Sequence, residues 1–125
     1  MSRKKDIKFR AWDPDAREFG YLRIGSIILL LDNPFASRSL KDKIWEQYTG
    51  LKDKNGEEIY EGDIVDYCGE CICVIQYEDE GARFIYRDIS DGFPFGFNGL
   101  EEYNGKLFEV IGNIHENPEL LKNDG

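Results

Sequence analysis

Histidine is nearly absent from this chain, which holds only His115, and cysteine is scarce at three residues. A lone imidazole with no Ser or Cys nucleophile motif beside it gives no support to a hydrolytic triad, and a structural hydrogen bond is its favoured role. The odd cysteine count argues against the disulfide framework of a small secreted domain. Long hydrophobic runs are missing too. The longest, Ile27 to Leu31, has five residues, far below the ~18 or more that a membrane span needs. The N-terminus is basic but passes at once to Asp6 and alternating charge, without the apolar core of a secretory signal. A reducing cytoplasm is the expected compartment. Neither a phosphate-cradling G-x-x-x-x-G-K-[ST] loop nor a dinucleotide fingerprint occurs, and the glycines fall where turns are needed.

What the chain does have is enough apolar and aromatic material for a core. Its 125 residues are 41% hydrophobic and include eight Phe, seven Tyr and two Trp. At this size about two-thirds of the unfolded chain's surface is buried on folding, which predicts one domain spanning residues 1–125 with no cofactor or metal needed to hold it. The net charge of −9 is uneven: residues 1–56 carry 12 Lys/Arg and 8 Asp/Glu, residues 57–125 carry 4 and 17. The second half would repel a polyanion, so direct nucleic-acid binding is not expected. The one concentrated basic run, SRKKDIKFR, reads as a solvated N-terminus.

Along the chain, Ile7, Phe9 and Ala11 alternate with Lys8, Arg10 and Trp12, the period of a half-buried strand. Asp13-Pro14-Asp15 supplies a turn. EFGYLRIGSIILLL follows as one or two strands, with residues 27–31 buried on both faces, and DNPFASRSLKDK is a loop. In QYTGLKDKNGEEIYEGDIVDY, Asn55-Gly56 suits a tight hairpin because both residues tolerate positive φ. Glu61-Gly62-Asp63 marks a second turn. CICVIQYED and ARFIYRDI, joined by Asp79-Glu80-Gly81, form the clearest hairpin. A short helical turn is predicted around LEEY at residues 100–103, a last strand in KLFEVIGNI, and a short helix at NPELL with Asn117 as its cap and Pro118 at its first position. The fold class is therefore mainly β: a curled antiparallel sheet or small, partly open barrel with one or two short helices.

Three groups invite a chemical reading. Cys68, Cys71 and Cys73 with His115 could compose a zinc site, but C-x₂-C-x-C departs from paired C-x₂-C knuckles, and small side chains on a buried strand explain it better. Glu57, Glu58, Glu61, Asp63 and Asp66 are the densest carboxylates, and hard cations take several oxygens. Strand alternation sends Glu57 and Glu58 to opposite faces, and no ordered calcium-loop pattern is present, so solvation of turns is favoured. Phe93, Phe95 and Phe97 alternate in FPFGF, where Pro94 lacks the amide a central strand would use. They could cover the open end of the sheet, the favoured role, or present an aromatic patch to a partner.

IKFRAWD near the start, YTGLKDKNGEEIYEGDIV in the middle and VIGNIHENPELL at the end together resemble the signature of YopX-type proteins, found mainly in bacteriophages and prophages. The resemblance implies a single, largely β domain in the cytoplasm of the bacterial host cell, within an early or accessory gene set, and no established activity. The recurring positions are turn formers, aromatics and caps, such as Asp53, Gly56, Gly62, Asn113 and Asn117. The expected function is a nonenzymatic accessory protein that binds a bacterial or phage protein, or a second copy of itself. Tyr60, Glu61, Asp63, Phe93, Phe95 and Phe97 are its candidate contact residues. The alternatives are an acidic DNA mimic that inhibits a host DNA-binding protein, and a metal-dependent hydrolase using the Glu57–Asp66 carboxylates.

Overall fold

A computed structural model of the protein describes residues 7–23, 42–96 and 106–122. They contain nine strands: β1 (Lys8–Asp13), β2 (Glu18–Arg23), β3 (Ile44–Lys52), β4 (Glu58–Tyr60), β5 (Asp63–Tyr67), β6 (Cys71–Glu78), β7 (Arg83–Asp88), β8 (Pro94–Gly96) and β9 (Phe108–Asn113). A short 3₁₀ turn follows at Pro118–Leu121. The fold is mainly β, as the short alternating segments and frequent turn residues predict. The apolar run at 27–31, residues 32–41 of the loop at 32–43, and the helical turn at 100–103 lie outside the described residues. The chain forms two compact units, Met1–Gly50 and Leu51–Gly125, and β3 runs from one into the other.

In the first unit the strand order is β2-β1-β3, all antiparallel. The turn between β1 and β2 is built on Asp13, whose Oδ1 accepts from the Asp15 and Ala16 amides at 3.0 and 3.2 Å, while Arg17 N–H returns to the Asp13 carbonyl at 2.7 Å. Those amide bonds, Ala16 first, hold the Asp13 carboxyl below the usual aspartate range. Simple alternation places Arg10 outside, but β1 is a middle strand and Arg10 is buried. Its charge is met by Glu46, its partner in register on β3, at 2.9 Å, and its guanidinium lies 4.3 Å from the centroid of Phe19. Burial of both charges is tolerable because each is paired.

The second unit carries a five-stranded antiparallel sheet in the order β8-β7-β6-β5-β9. Ile64 and Val65 point to opposite sides of β5 and both are fully buried, so this strand is covered on two faces. Ile59, Val65, Cys73, Ile75 and Phe108 form the core on one side. The β6–β7 hairpin is present with Glu78 opposite Arg83. The left-handed residue of its loop is Ala82, with φ of 48°, rather than Gly81. Gly81 matters for room instead: a Cβ there would stand 2.6 Å from Glu78 Oε1 and 3.0 Å from Arg83 Nε, the two atoms of an ion pair 3.4 Å apart.

Candidate functional site

The stretch with the most carboxylates serves the backbone. Asp53 is 5% exposed; its Oδ1 accepts from the Asn55 and Glu57 amides at 2.8 and 2.9 Å, and its Oδ2 accepts from Val110 N–H on β9 at 2.9 Å. Gly56 N–H closes on the Asp53 carbonyl at 3.0 Å and Asp53 N–H on the Glu57 carbonyl at 2.7 Å. The hairpin is thus a longer loop than the two-residue turn expected from Asn-Gly. Only Gly56, at φ 84°, is left-handed, and Asn55 is not, because the extra residues let a right-handed turn precede a glycine bulge.

The second turn is organised the same way. Asp63 Oδ2 accepts from Tyr60 N–H at 2.8 Å, Gly62 N–H donates to the Ile75 carbonyl at 2.7 Å, and Ile114 N–H donates to the Gly62 carbonyl at 3.0 Å. Gly62 has φ of 87°, a conformation that suits glycine. Tyr60 and Asp63 are 3% and 2% exposed, so both side chains lie inside, and Glu61 is half-buried. Glu58 Oε1 accepts from the Tyr60 hydroxyl at 3.2 Å, and Asp66 Oδ1 accepts from Gly69 N–H at 3.0 Å. Among the described residues no three His, Cys, Asp or Glu side chains converge as metal ligands would.

The closing NPELL segment differs from expectation in its cap. Asn117 makes no side-chain cap to the 3₁₀ turn. Its Oδ1 reaches back to Asn113 N–H at 3.2 Å, and Asn113 is the residue that caps locally, accepting from His115 and Glu116 N–H at 3.0 and 2.9 Å. Gly112 has no Cβ because Asn117 Oδ1 would lie 2.5 Å from it.

Cys71 and Cys73 share a face of β6, as alternation predicts, with their sulfurs 3.6 Å apart. Burial pushes both thiols up, and the Asp88 carboxylate adds repulsion to the charged form. Cys68 sits apart on an exposed turn, its thiol 3.6 Å from the Leu107 carbonyl. Cys73 is buried and Cys71 half-buried, and neutral thiols so placed are packing groups.

The same face of the sheet carries an aromatic row. Phe108 on β9 is fully buried and is packed by Tyr67 at 5.3 Å and Tyr86 at 5.0 Å between ring centroids. Tyr67 and Tyr86 stack at 5.8 Å, Tyr86 and Phe95 stack at 5.2 Å, and Phe95 meets Phe93 at 4.9 Å. Register explains the row: Tyr67 is opposite Phe108, and Tyr86 is opposite Phe95. The rings run from the core outward, for Phe95 is 38% and Phe93 56% exposed. Phe97 lies outside the described residues.

The loop that holds the outer rings is tightly bonded. Asp88 Oδ1 accepts from Ser90 N–H at 2.8 Å and from its hydroxyl at 2.7 Å, bonds that hold the Asp88 carboxyl below its usual range. Asp91 Oδ1 accepts from Phe93 N–H at 2.9 Å, Asp88 N–H donates to the Phe93 carbonyl at 3.1 Å, and Arg87 donates to the Gly92 carbonyl at 2.7 Å. Sequence reasoning found Phe93 and Phe95 by their alternation, but Tyr67 and Tyr86 gave no local signal because their stacking depends on strand register.

Three findings place the chain among known proteins. The crystal structure of protein EF1440 from Enterococcus faecalis is similar, with a TM-score of 0.60 at 26% identity, covering 95% of this chain and 100% of that one. No curated protein matches it. The model of the family described as YopX protein matches residues 30–122, most of the chain, and takes in both the Asp53 turn and the Asn113–Asn117 segment that the geometry shows bracing the sheet. The protein belongs to the YopX family.

Proposed function

We propose that this chain is a phage or prophage accessory protein that acts in the host cytoplasm without catalysis, by binding another protein through the face carrying Phe93 and Phe95. The observation that carries this reading is the exposure of two adjoining phenylalanines at the outer end of an aromatic row rooted in the core. Exposed apolar rings held in one orientation lose little entropy on contact and release water from a large area, which is how hot-spot residues act. The bonded loop from Asp88 to Phe93 supplies that orientation. The carboxylates of the Glu57–Asp66 stretch, by contrast, are engaged in turn geometry, which favours binding over hydrolysis.

The test compares immobilised wild-type protein with a Phe93→Ser, Phe95→Ser double variant in host lysate, after circular dichroism has shown that both are folded. Recovery of a defined protein by the wild type and its loss from the double variant is the expected result. Equal recovery by the two, or none by either, refutes the reading.

A further inference from the structure

Phe93 and Phe95 are bordered by acid. Asp88 lies on the same face as Tyr86 and is opposite Cys73 in register, and Asp91 follows in the loop, its Oδ1 accepting from Phe93 N–H at 2.9 Å. Of the nearby described cations, Arg83 and Arg87 alternate with Tyr86 along β7 and so leave it from the opposite side; the Arg87 guanidinium donates to Gln76 at 2.9 Å and to the Gly92 carbonyl of the loop at 2.7 Å. Arg83 pairs with Glu78, and its guanidinium would lie 2.6 Å from a Cβ on Gly96. The aromatic face is therefore negative as well as apolar.

How an occupant approaches is also constrained. β8 is the outer strand of the sheet, but Pro94 has no N–H to offer an added strand. Recognition has to come from side chains laid on the rings. We infer that this face takes a cationic segment of a partner protein, with an arginine or lysine side chain resting on Phe93 and Phe95 and its charge turned toward Asp88 and Asp91. A cation is attracted by the ring faces and by the carboxylates together, and a planar guanidinium stacks better than an ammonium. This identification rests on the binding role proposed above and specifies its partner.

The experiment is an NMR titration of the intact protein with three synthetic peptides of equal length, in which serine alternates with arginine, lysine or glutamate. The arginine peptide is expected to shift amides of residues 88–96, binding more tightly than the lysine peptide, and the glutamate peptide to leave them unmoved. Raising salt from 50 to 300 mM should weaken binding about tenfold, since exposed charges are screened within a few ångströms at that strength. Asp91→Asn, which keeps the Oδ1 acceptor for Phe93 N–H, should weaken it about threefold, and the Phe93→Ser, Phe95→Ser variant about tenfold.

Equal binding of arginine and glutamate peptides, or arginine binding that survives loss of both rings, overturns the inference. A concentration-dependent dimer abolished in the double phenylalanine variant would assign the face to a second copy and overturn it as well. If the peptides fail while lysate capture still depends on the two rings, only the cationic partner falls. If capture is also independent of the rings, both readings fall.

Discussion

Replacing Asp53 by alanine removes the acceptor of three backbone amides at once, those of Asn55, Glu57 and Val110. The first two belong to exposed residues, so water takes over and each loss is small. Val110 is half-buried on β9, where an amide left without an acceptor costs about 1–3 kcal/mol, and bonds to a charged acceptor lie at the upper end of that range. The expected total is about 3 kcal/mol, a large share of the roughly 5–15 kcal/mol by which a domain is stable. For a chain of this length it corresponds to a fall in Tm of about 10 °C. Asp53→Asn keeps one oxygen and can serve either the turn or β9 but not both, so it should fall about halfway. Urea denaturation followed by circular dichroism measures both. A loss below about 0.5 kcal/mol for Asp53→Ala, within the range of ordinary surface changes, would refute the brace.

Four further outcomes follow from the geometry. Arg10→Met should cost about 3–5 kcal/mol by breaking the buried ion pair with Glu46, and adding Glu46→Leu should recover most of it in the urea midpoint. Gly112→Ala should cost about 1–2 kcal/mol by displacing Asn117 from Asn113 N–H, and should be less than additive with Asn117→Ala because both lose the same bond. Ellman's reagent should modify Cys68 quickly in the native protein, half-buried Cys71 more slowly, and Cys73 only in denaturant; rapid modification of Cys73 would contradict its burial. Asp13 and Asp88 are more acidic folded than unfolded, so their contribution is complete above the ordinary aspartate range of about 3.9 and disappears as pH falls through their lower folded values. Asp13→Asn and Asp88→Asn should each flatten the acid limb of the stability profile, and unchanged slopes would count against both assignments.

Features governed by neighbours in sequence are legible from the sequence alone. The β6–β7 hairpin, the Asp13 turn and the shared face of Cys71 and Cys73 follow from alternation and turn chemistry over a few residues. Misjudged details arose where distant groups decide. Arg10 looks like an outward residue until β3 brings Glu46 beside it, and Asn117 looks like a helix cap until Gly112 leaves space for its side chain to turn back. Asp53 reads as one turn former among several because Val110, its third donor, is far along the chain. For the candidate site, Phe93 and Phe95 were visible as an alternating pair. Their support by Tyr86 and Tyr67 was not, since it is set by the registers of β7 with β8 and of β5 with β9.

The position of β9 has a consequence for synthesis. The chain makes β5 to β8 in sequence order, each beside the strand before it, but the other side of β5 waits for β9, which leaves the ribosome after β8. During that interval a strand whose first three residues are buried in the folded sheet has one row of amides and carbonyls open to any extended chain nearby. A premature stop before Phe108 would make that interval permanent, and the expected product is an insoluble fragment.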